Sequence, residues 1–212
     1  MTNADWTRAE KAVFRPLSKP GKIQSYVDGL KYNITDMTRS PRFVIKTGQA
    51  HCFDGAMFAA AALAFHGDPP LLIDLRANDD DDDHILAIFK RDGLYGAIAQ
   101  SNYTGCRYRD PVYRNIRELA LSYFNIYFNL AGSKTLREYS VLFDLRKVKD
   151  IAWRTTAEDI SRLGDRIDRI RHFKLIPARA EKNLEDADDR LFRGETLGLD
   201  PRGAFKIPGA RI

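Results

Sequence analysis

The chain has 212 residues, of which 44% are hydrophobic and 30% charged, with a net charge of +5 at pH 7. This balance is typical of a globular protein with one domain or two small ones, and it excludes a disordered or collagen-like chain. The longest apolar run, Phe58 to Phe65, is far too short to span a bilayer, so no membrane partner is predicted. Two cysteines exclude a disulfide scaffold, and without an apolar signal segment they predict a cytoplasmic location.

Two short helices are predicted at the N-terminal end of the chain. One covers residues 5–15 and the other covers residues 21–31, with Pro20 as a break between them. Residues 32–50 are predicted to form a loop that contains a short strand over residues 43–45. These elements precede the segment that carries the candidate chemistry.

An alanine-rich helix is predicted to begin at or next to Cys52 and to run to Ala64. Alanine has the highest helix propensity of all residues, which favours a helix strongly here. Gly67 ends the pattern, and the two prolines that follow it cannot continue a helix. Cys52 is therefore expected at the N-terminal end of a well-defined helix.

Three strands are predicted after this helix. Residues 71–75 and 84–89 are short apolar runs of the kind that form buried strands. Asp92-Gly93 is a two-residue hairpin signal, so residues 94–99 are expected to pair antiparallel with residues 84–89. Helices, then strands, then helices again indicate an α+β fold rather than alternating βαβ units.

Two long helices and a tail are predicted in the C-terminal half. Apolar residues at helical spacing predict one helix over residues 113–131 and a second over residues 155–173. From Ala178 onward the chain is charged and poor in large apolar residues, which predicts an extended or weakly ordered tail. The expected organisation is a core domain over residues 1–150, followed by a C-terminal helix and charged tail over residues 151–212.

Cys52 and His84 form the candidate catalytic pair. A cysteine at a helix start lies near unsatisfied N–H groups and the positive end of the helix dipole, which favour the thiolate. The thiolate is a nucleophile in acyl transfer, and a histidine partner accepts and returns the proton. Taken separately, each residue is more commonly structural. A lone cysteine in an alanine-rich stretch is usually a small buried hydrophobic residue, and a lone histidine at a strand end usually lies on the surface. Their combination with a helix start and a following hairpin favours a catalytic site.

The order of these segments resembles the transglutaminase-like superfamily, which shares its core with papain-type cysteine peptidases. In that family a cysteine opens the core helix, a histidine begins a strand, and an acid or asparagine near the end of the next strand orients the imidazole. The matching segments here are residues 52–56, 84–89 and 94–102. The resemblance covers residues 45–105, and over residues 20–145 the chain is similar to a bacterial branch of that superfamily.

The resemblance implies a papain/transglutaminase-like core, in which the cysteine-bearing helix packs on a small antiparallel sheet. The implied activity is cysteine-dependent acyl transfer on a peptide or amide substrate, by a peptidase, an amidase or a transglutaminase. No cofactor and no metal are implied. The alternative is a non-catalytic binding module that keeps the same fold.

The third member of the catalytic triad departs from the family pattern. Residues 99–102 contain no carboxylate, which favours the non-catalytic alternative. Asn102 is predicted to orient His84 through its amide oxygen, as the asparagine of papain-like enzymes does. Ser101 is the rival, because counting outward from the hairpin turn pairs it with His84. By analogy with the family, the backbone N–H of Cys52 is a candidate oxyanion donor. The side chain of Gln49 is a second candidate, and its interpretation as a polar loop residue is favoured at least as much.

Three further features have a structural and a functional interpretation. The run Asp79–Asp83 is interpreted as a solvated loop, with a cation site or a field that stabilises protonated His84 as alternatives. His51 flanks the nucleophile but ranks below His84, because adjacent side chains at a helix start diverge. Basic and aromatic residues over 107–117 are typical of packing within the fold, and binding of single-stranded nucleic acid is the minor alternative.

Overall fold

A computed structural model describes residues 5–35 and 37–212 as an α+β fold. The α-helices are α1 (Arg8–Phe14), α2 (Pro20–Asp28), α3 (Pro41–Thr47), α4 (Cys52–Phe65), α5 (Ile116–Leu121), α6 (Arg162–Asp168) and α7 (Asp189–Glu195). The strands are β1 (Lys31–Tyr32), β2 (Gln49–Ala50), β3 (Leu71–Ala77), β4 (His84–Arg91), β5 (Leu94–Ile98), β6 (Arg109–Tyr113), β7 (Leu136–Ser140), β8 (Phe143–Asp144) and β9 (His172–Lys174). Within the described ranges, every helix lacks the length and apolar character that a membrane crossing requires.

Seven strands form one sheet in the order β6-β5-β4-β3-β7-β9, and β8 pairs with β3 beside this path. All the pairings in this sheet are antiparallel. The predicted hairpin is confirmed, since Arg91 pairs with Leu94 across a turn in which Asp92 and Gly93 both have positive φ. Positive φ at both positions is required by a two-residue type I′ turn, whose twist matches the right-handed twist of the flanking strands. The short strands β1 and β2 form a separate parallel pair just before α4.

Each face of the large sheet carries its own hydrophobic core. On one face, α4 packs against the inward side chains of β4, among them Ile85 and Ala87. On the other face, Leu86 and Ile88 lie in a cluster with α5 and with Tyr123 after it. Because α4 is enclosed between this sheet and helices α2 and α3, it is apolar on all sides, as a fully buried helix must be.

The start of α4 is fixed by its cap and by a close approach to the sheet. His51 is the N-cap, and its Nδ1 accepts a hydrogen bond from the Phe53 N–H at 3.1 Å. The Asp54 carboxylate accepts the His51 backbone N–H in return, at 3.3 Å. A Cβ at Gly55 would lie 2.4 Å from the Gln100 Cβ, so only glycine lets this turn approach the end of β5 so closely. The first turn of α4 is therefore held against the end of the sheet.

The N-terminal half largely follows the sequence. The two N-terminal helices and the alanine-rich helix that begins at Cys52 are confirmed as α1, α2 and α4. The strand predicted over residues 43–45 is wrong, because these residues lie in α3. Ser40 caps that helix by accepting the Phe43 N–H, and Pro41 occupies its first turn. Both are standard helix-start signals that outweigh the β-branched residues after them.

The helix predicted over residues 113–131 is limited to α5. It is followed by a 3-10 turn over Phe124–Ile126 and by irregular chain. Leu119, Tyr123 and Tyr127 are nevertheless all buried, so their spacing reflects burial and not a continuous helix. Strand β6, which the sequence assigned to a loop, occupies the chain before it.

The helix predicted over residues 155–173 is limited to α6. Leu163 and Ile167 are fully buried, as the apolar stripe required. Phe173 instead lies in β9, where it pairs with Tyr139 of β7. The segment after residue 150 thus supplies an edge strand of the core sheet, which ends the helix before its apolar pattern ends.

The chain after Ala178 is packed on the core, so the prediction of an extended, weakly ordered tail is wrong. Phe192 of α7 is 4% exposed and stacks on Phe128, with ring centroids 5.8 Å apart. The Gly105 N–H donates a hydrogen bond to the Glu195 carboxylate at 2.6 Å. A few well-placed contacts of this kind order a segment whose composition is mostly polar.

Candidate functional site

The first turn of α4, the start of β4 and the C-terminal segment, which is the chain after Ala178, surround a cavity of about 380 Å³. Cys52 and His84 both line this cavity. Cys52 is half-buried, and its sulfur lies 3.9 Å from the carbonyl oxygen of Asp83, toward which the thiol donates. A cavity of this volume accommodates a small ligand or a substrate side chain.

His84 is the first residue of β4, and its ring is held in one orientation by a backbone carbonyl. Its Nε2 lies 2.8 Å from the carbonyl oxygen of Cys106. A carbonyl oxygen only accepts, so Nε2 carries the proton and Nδ1 carries the lone pair. Within the described part of the chain, Nδ1 has no hydrogen-bond partner. The imidazole is therefore in the tautomer that a general base requires.

Asn102 does not orient His84, which corrects the sequence prediction. Its Nδ2 donates to the carbonyl oxygen of Asp200 at 2.8 Å, and its Oδ1 accepts the Asp200 N–H at 2.9 Å. The rival residue, Ser101, uses its hydroxyl oxygen to accept the Tyr103 N–H at 3.0 Å. Both side chains line the cavity. The ladder between β4 and β5 ends at the Ala87–Ile98 pair, so counting outward from the turn does not carry as far as His84.

The orienting group is instead the backbone carbonyl of Cys106. Sequence reasoning missed it because every residue type carries the same carbonyl, so no side-chain signal marks this one. Only the path of the chain after β5 brings Cys106 beside the imidazole.

Cys52 and His84 border the cavity from opposite sides of the sheet. In β4, Ile85 packs toward α4, whereas the His84 ring lies 6.3 Å from the Tyr127 ring in the cluster on the other face. The thiol approaches the end of β4 from the α4 side. Among the described residues, no hydrogen bond joins the thiol with the imidazole, and each is bonded to a carbonyl. Their direct contact requires a movement of one side chain.

Both members of the pair are uncharged at neutral pH. Burial raises the pKa of the Cys52 thiol to about 12, and nearby carboxylates act in the same direction, against the hydrogen bond from the Ile85 N–H. Burial lowers the pKa of His84 to about 4, although its bond to the Cys106 carbonyl acts in the opposite direction. The thiolate that a helix start favours is therefore opposed at this site, because desolvation of the thiol exceeds the effect of the helix start.

Two further sequence candidates do not join the site. His51 lines the cavity, but its Nδ1 is used as the N-cap of α4, which leaves no lone pair there for a general base. Gln49 lies in β2, and its side chain is exposed and not among the residues that line the cavity. The predicted side-chain oxyanion donor is therefore wrong, while the Cys52 N–H lies at the start of α4, beside the thiol.

A buried carboxylate that the sequence did not single out ties together the loops around Cys52. Asp54 is fully buried in the first turn of α4. It accepts the Arg39 N–H at 2.6 Å and the Asn33 side-chain amide at 3.2 Å, besides the His51 N–H. Burial raises the pKa of Asp54, against these hydrogen bonds. The only sequence signal was an acidic residue in the first turn of a helix, which is common.

The aspartate run before His84 is partly solvated and partly built into the fold. Asp79 and Asp80 are exposed, as the loop interpretation expects. Asp81 accepts the Thr135 hydroxyl at 2.6 Å, and Asp83 accepts the Ala77 N–H at 2.8 Å. Burial raises the pKa of Asp83 to about 7. The run does not stabilise a protonated His84.

Basic and aromatic residues of the segment 107–117 pack against the rest of the fold. The guanidinium of Arg109 lies 3.9 Å from the centre of the Tyr123 ring and donates to the Ser122 hydroxyl at 2.9 Å. The Tyr123 hydroxyl donates to the Arg107 carbonyl at 2.6 Å. These contacts favour the structural interpretation over nucleic-acid binding.

The C-terminal segment closes one side of the cavity. Arg202, Gly203 and Phe205 line it. Gly203 lies against the Tyr32 ring, where an added Cβ would stand 2.8 Å from a ring carbon. The two hydrogen bonds between Asn102 and the Asp200 backbone anchor the segment just before these residues. Sequence reasoning missed these residues, because a polar segment with isolated apolar residues shows no periodic pattern.

Comparison with known proteins gives this chain no family. A scan against models of protein families and a search of curated proteins both found no match.

Proposed function

We propose that this protein is a cysteine-dependent acyl-transfer enzyme of papain/transglutaminase-like type, with Cys52 as nucleophile and His84 as general base. One observation carries the proposal. A thiol at a helix start and an imidazole in the base tautomer open on the same cavity. The proposed substrate is a peptide or amide. A cytoplasmic location is also proposed, because both cysteines are free thiols.

The proposed reaction begins from the neutral pair. The thiol first leaves the Asp83 carbonyl, and a movement of one of the two side chains brings it to the imidazole of His84. The His84 Nδ1 then takes the proton as the sulfur attacks the substrate carbonyl, so that no free thiolate accumulates. The imidazolium gives this proton to the leaving amine, and an acyl-enzyme on Cys52 remains. Water or a second amine, deprotonated by His84, then attacks the acyl carbon. The S–C bond breaks, and the imidazolium returns the proton to the Cys52 sulfur.

Two backbone groups support this reaction. The Cys106 carbonyl holds the Nε2–H side of the ring, which is the role that an asparagine or aspartate side chain has in related mechanisms. The Cys52 N–H, at the start of α4, is the proposed donor to the developing oxyanion. Both groups are backbone atoms, so the absence of a carboxylate near Asn102 does not argue against catalysis.

A non-catalytic binding module is the second candidate. Two observations favour it. The described residues provide no hydrogen bond between Cys52 and His84, and burial raises the pKa of the thiol instead of lowering it. In this case the cavity binds a ligand and the cysteine is a small buried side chain.

An acyl-trapping experiment separates the two candidates. The protein is incubated with p-nitrophenyl acetate, and the acetylated residue is found by peptide mapping. We expect a burst of nitrophenolate and acetylation at Cys52, lost in Cys52→Ala and kept in Cys106→Ala. His84→Ala should slow the burst by about 10²- to 10⁴-fold, the usual contribution of a general base. Folded protein whose Cys52 is acetylated no faster than a free thiol would reject the enzyme and favour the binding module.

A further inference from the structure

Three carboxylates from distant parts of the chain lie close together at the edge of the cavity. Asp74 lies in β3, Asp83 directly precedes β4, and Asp168 is the last residue of α6. One ligand oxygen from each lies within 4.8 Å of those from the other two. Asp83 and Asp168 also line the cavity, so the cluster is open to small solutes from that side.

One carboxylate oxygen in this cluster is buried without a partner. Asp74 is fully buried. Its Oδ2 lies 3.0 Å from His172 Nε2, while its Oδ1 is buried and has no hydrogen-bond partner. A buried polar oxygen without a partner is destabilising and rare in folded proteins, so it calls for an explanation. Because Oδ2 is taken by His172, Oδ1 is the oxygen that remains available to a cation.

The neighbouring cationic side chains only partly balance this negative charge. His172 is bonded to Asp74, and its Nδ1 lies 2.8 Å from the Ile170 carbonyl oxygen. Arg76 directs its guanidinium to the carboxylate of Glu138 and to the backbone carbonyl of Asp168. Neither group donates a hydrogen bond to Asp74 Oδ1. A further positive charge between the three carboxylates is therefore electrostatically favoured.

We propose that Asp74, Asp83 and Asp168 bind one hard divalent cation. Carboxylate oxygens are the ligands that such ions prefer, and Ca²⁺ takes oxygens at about 2.3–2.6 Å, so two ligands on opposite sides are about 5 Å apart. The observed oxygen spacing fits within that span. Water from the cavity completes the coordination at Asp83 and Asp168. Mg²⁺ holds its ligands closer and should bind more weakly than Ca²⁺ or Mn²⁺.

The cation would act on the neighbouring site through Asp83. The side chain of Asp83 is a proposed ligand, its carbonyl oxygen faces the Cys52 thiol, and His84 follows it in the chain. Binding would hold this segment in one conformation. The cation site does not depend on acyl transfer, so it is tested by binding alone.

The test measures binding of Ca²⁺, Mn²⁺ and Mg²⁺ separately to the full chain after treatment with a chelator. Titration calorimetry gives the stoichiometry and affinity, and the resonance signal of free Mn²⁺ gives an independent count. We expect one ion per chain, a higher melting temperature with the ion, and weaker binding of Mg²⁺.

Variants assign the binding to these residues. Asp168→Asn should lower the affinity by more than about tenfold, because loss of even an outer-shell partner costs about 10- to 100-fold. Asp74→Asn should lower the affinity by a similar factor, provided that circular dichroism shows this variant to be folded. If Asp74→Asn does not fold, the affinity of Asp168→Asn alone decides whether these carboxylates bind the ion. Asp79→Asn is the matched control, because it removes the same charge from an exposed position in the aspartate run. No ion bound by the native chain, or equal loss in Asp79→Asn and Asp168→Asn, would overturn the proposal.

Discussion

The C-terminal segment should be part of the folded core, and Phe192→Ala tests this directly. Phe192 lies in α7, in the part of the chain whose composition predicts weak order. In the structure it is 4% exposed and stacks on Phe128, and the two form a small apolar cluster with Ala187. If this contact holds the segment on the core, removing the ring should destabilise the whole protein.

The expected magnitude follows from the burial. Truncation of a buried phenylalanine to alanine costs about 3–5 kcal/mol in a well-packed core. This cluster is small and separate from the two main cores, so neighbouring side chains can partly fill the void that the missing ring leaves. The low end of this range of destabilisation, about 3 kcal/mol, is therefore appropriate. For a chain of this size, each kcal/mol shifts the melting temperature by about 2–4 °C, which gives a decrease of about 6–12 °C.

Thermal and urea unfolding of the native chain and two variants form the assay. Leu197→Ala is the matched control, because Leu197 lies in the same segment but is 76% exposed. Its free energy of unfolding should stay within about 0.5 kcal/mol of the native value. If Phe192→Ala and Leu197→Ala melt at the same temperature as the native chain, the segment does not stabilise the core and the reasoning fails.

Three further predictions concern the candidate site. Iodoacetamide should label Cys52 before Cys106, because Cys52 is half-buried whereas Cys106, which also lines the cavity, is buried. The labelling rate of Cys52 should rise through the alkaline range, since burial raises the pKa of Cys52 to about 12. Peptide mapping that shows equal rates, or a rate plateau near neutral pH, would contradict this. His84 has a folded-state pKa of about 4, below its ordinary 6.5, because it is buried. As the pH falls, the unfolded chain therefore protonates this histidine at a higher pH than the folded chain does. The contribution of neutral His84 to the free energy of unfolding is fully present above pH 6.5 and is lost as the pH falls toward 4, by about 3 kcal/mol. His84→Gln should lack this part of the acid destabilisation in urea unfolding at a series of pH values, and parallel pH curves would refute it. Asn102→Ala should cost about 1–3 kcal/mol, because it removes two hydrogen bonds to the Asp200 backbone; it should also speed the labelling of Cys52, and an unchanged rate would show that the C-terminal segment does not cover the thiol.

The local parts of the fold were predictable because their signals lie within a few residues of each other. Helix α4 follows from a run of alanines that Gly67 ends, and the hairpin follows from Asp92-Gly93. The true extent of α5 and α6 was not predictable, because burial produces the same apolar spacing in helices and in irregular chain. Phe173 continues the helical pattern but pairs as a strand with Tyr139.

In the candidate site, too, some residues could be predicted from the sequence and others could not. Residue types with intrinsic chemistry, Cys52 and His84, stand out in the sequence, and both line one cavity. Asn102 stands out equally, yet its amide is used to hold the Asp200 backbone. The group that orients the imidazole is the Cys106 carbonyl. Every residue has a backbone carbonyl, so the sequence could not indicate this one.

The sequence by itself determined the α+β class, the position of the thiol at a helix start and the hairpin after His84, because these depend on local propensity, capping and turn geometry. Only the tertiary structure decided the charge state of the pair, since desolvation depends on everything packed around it. It also brought together Asp74, Asp83 and Asp168 and laid the C-terminal segment over the cavity. These arrangements join residues that are far apart in the chain, and pairing between distant segments leaves no periodic pattern in either one.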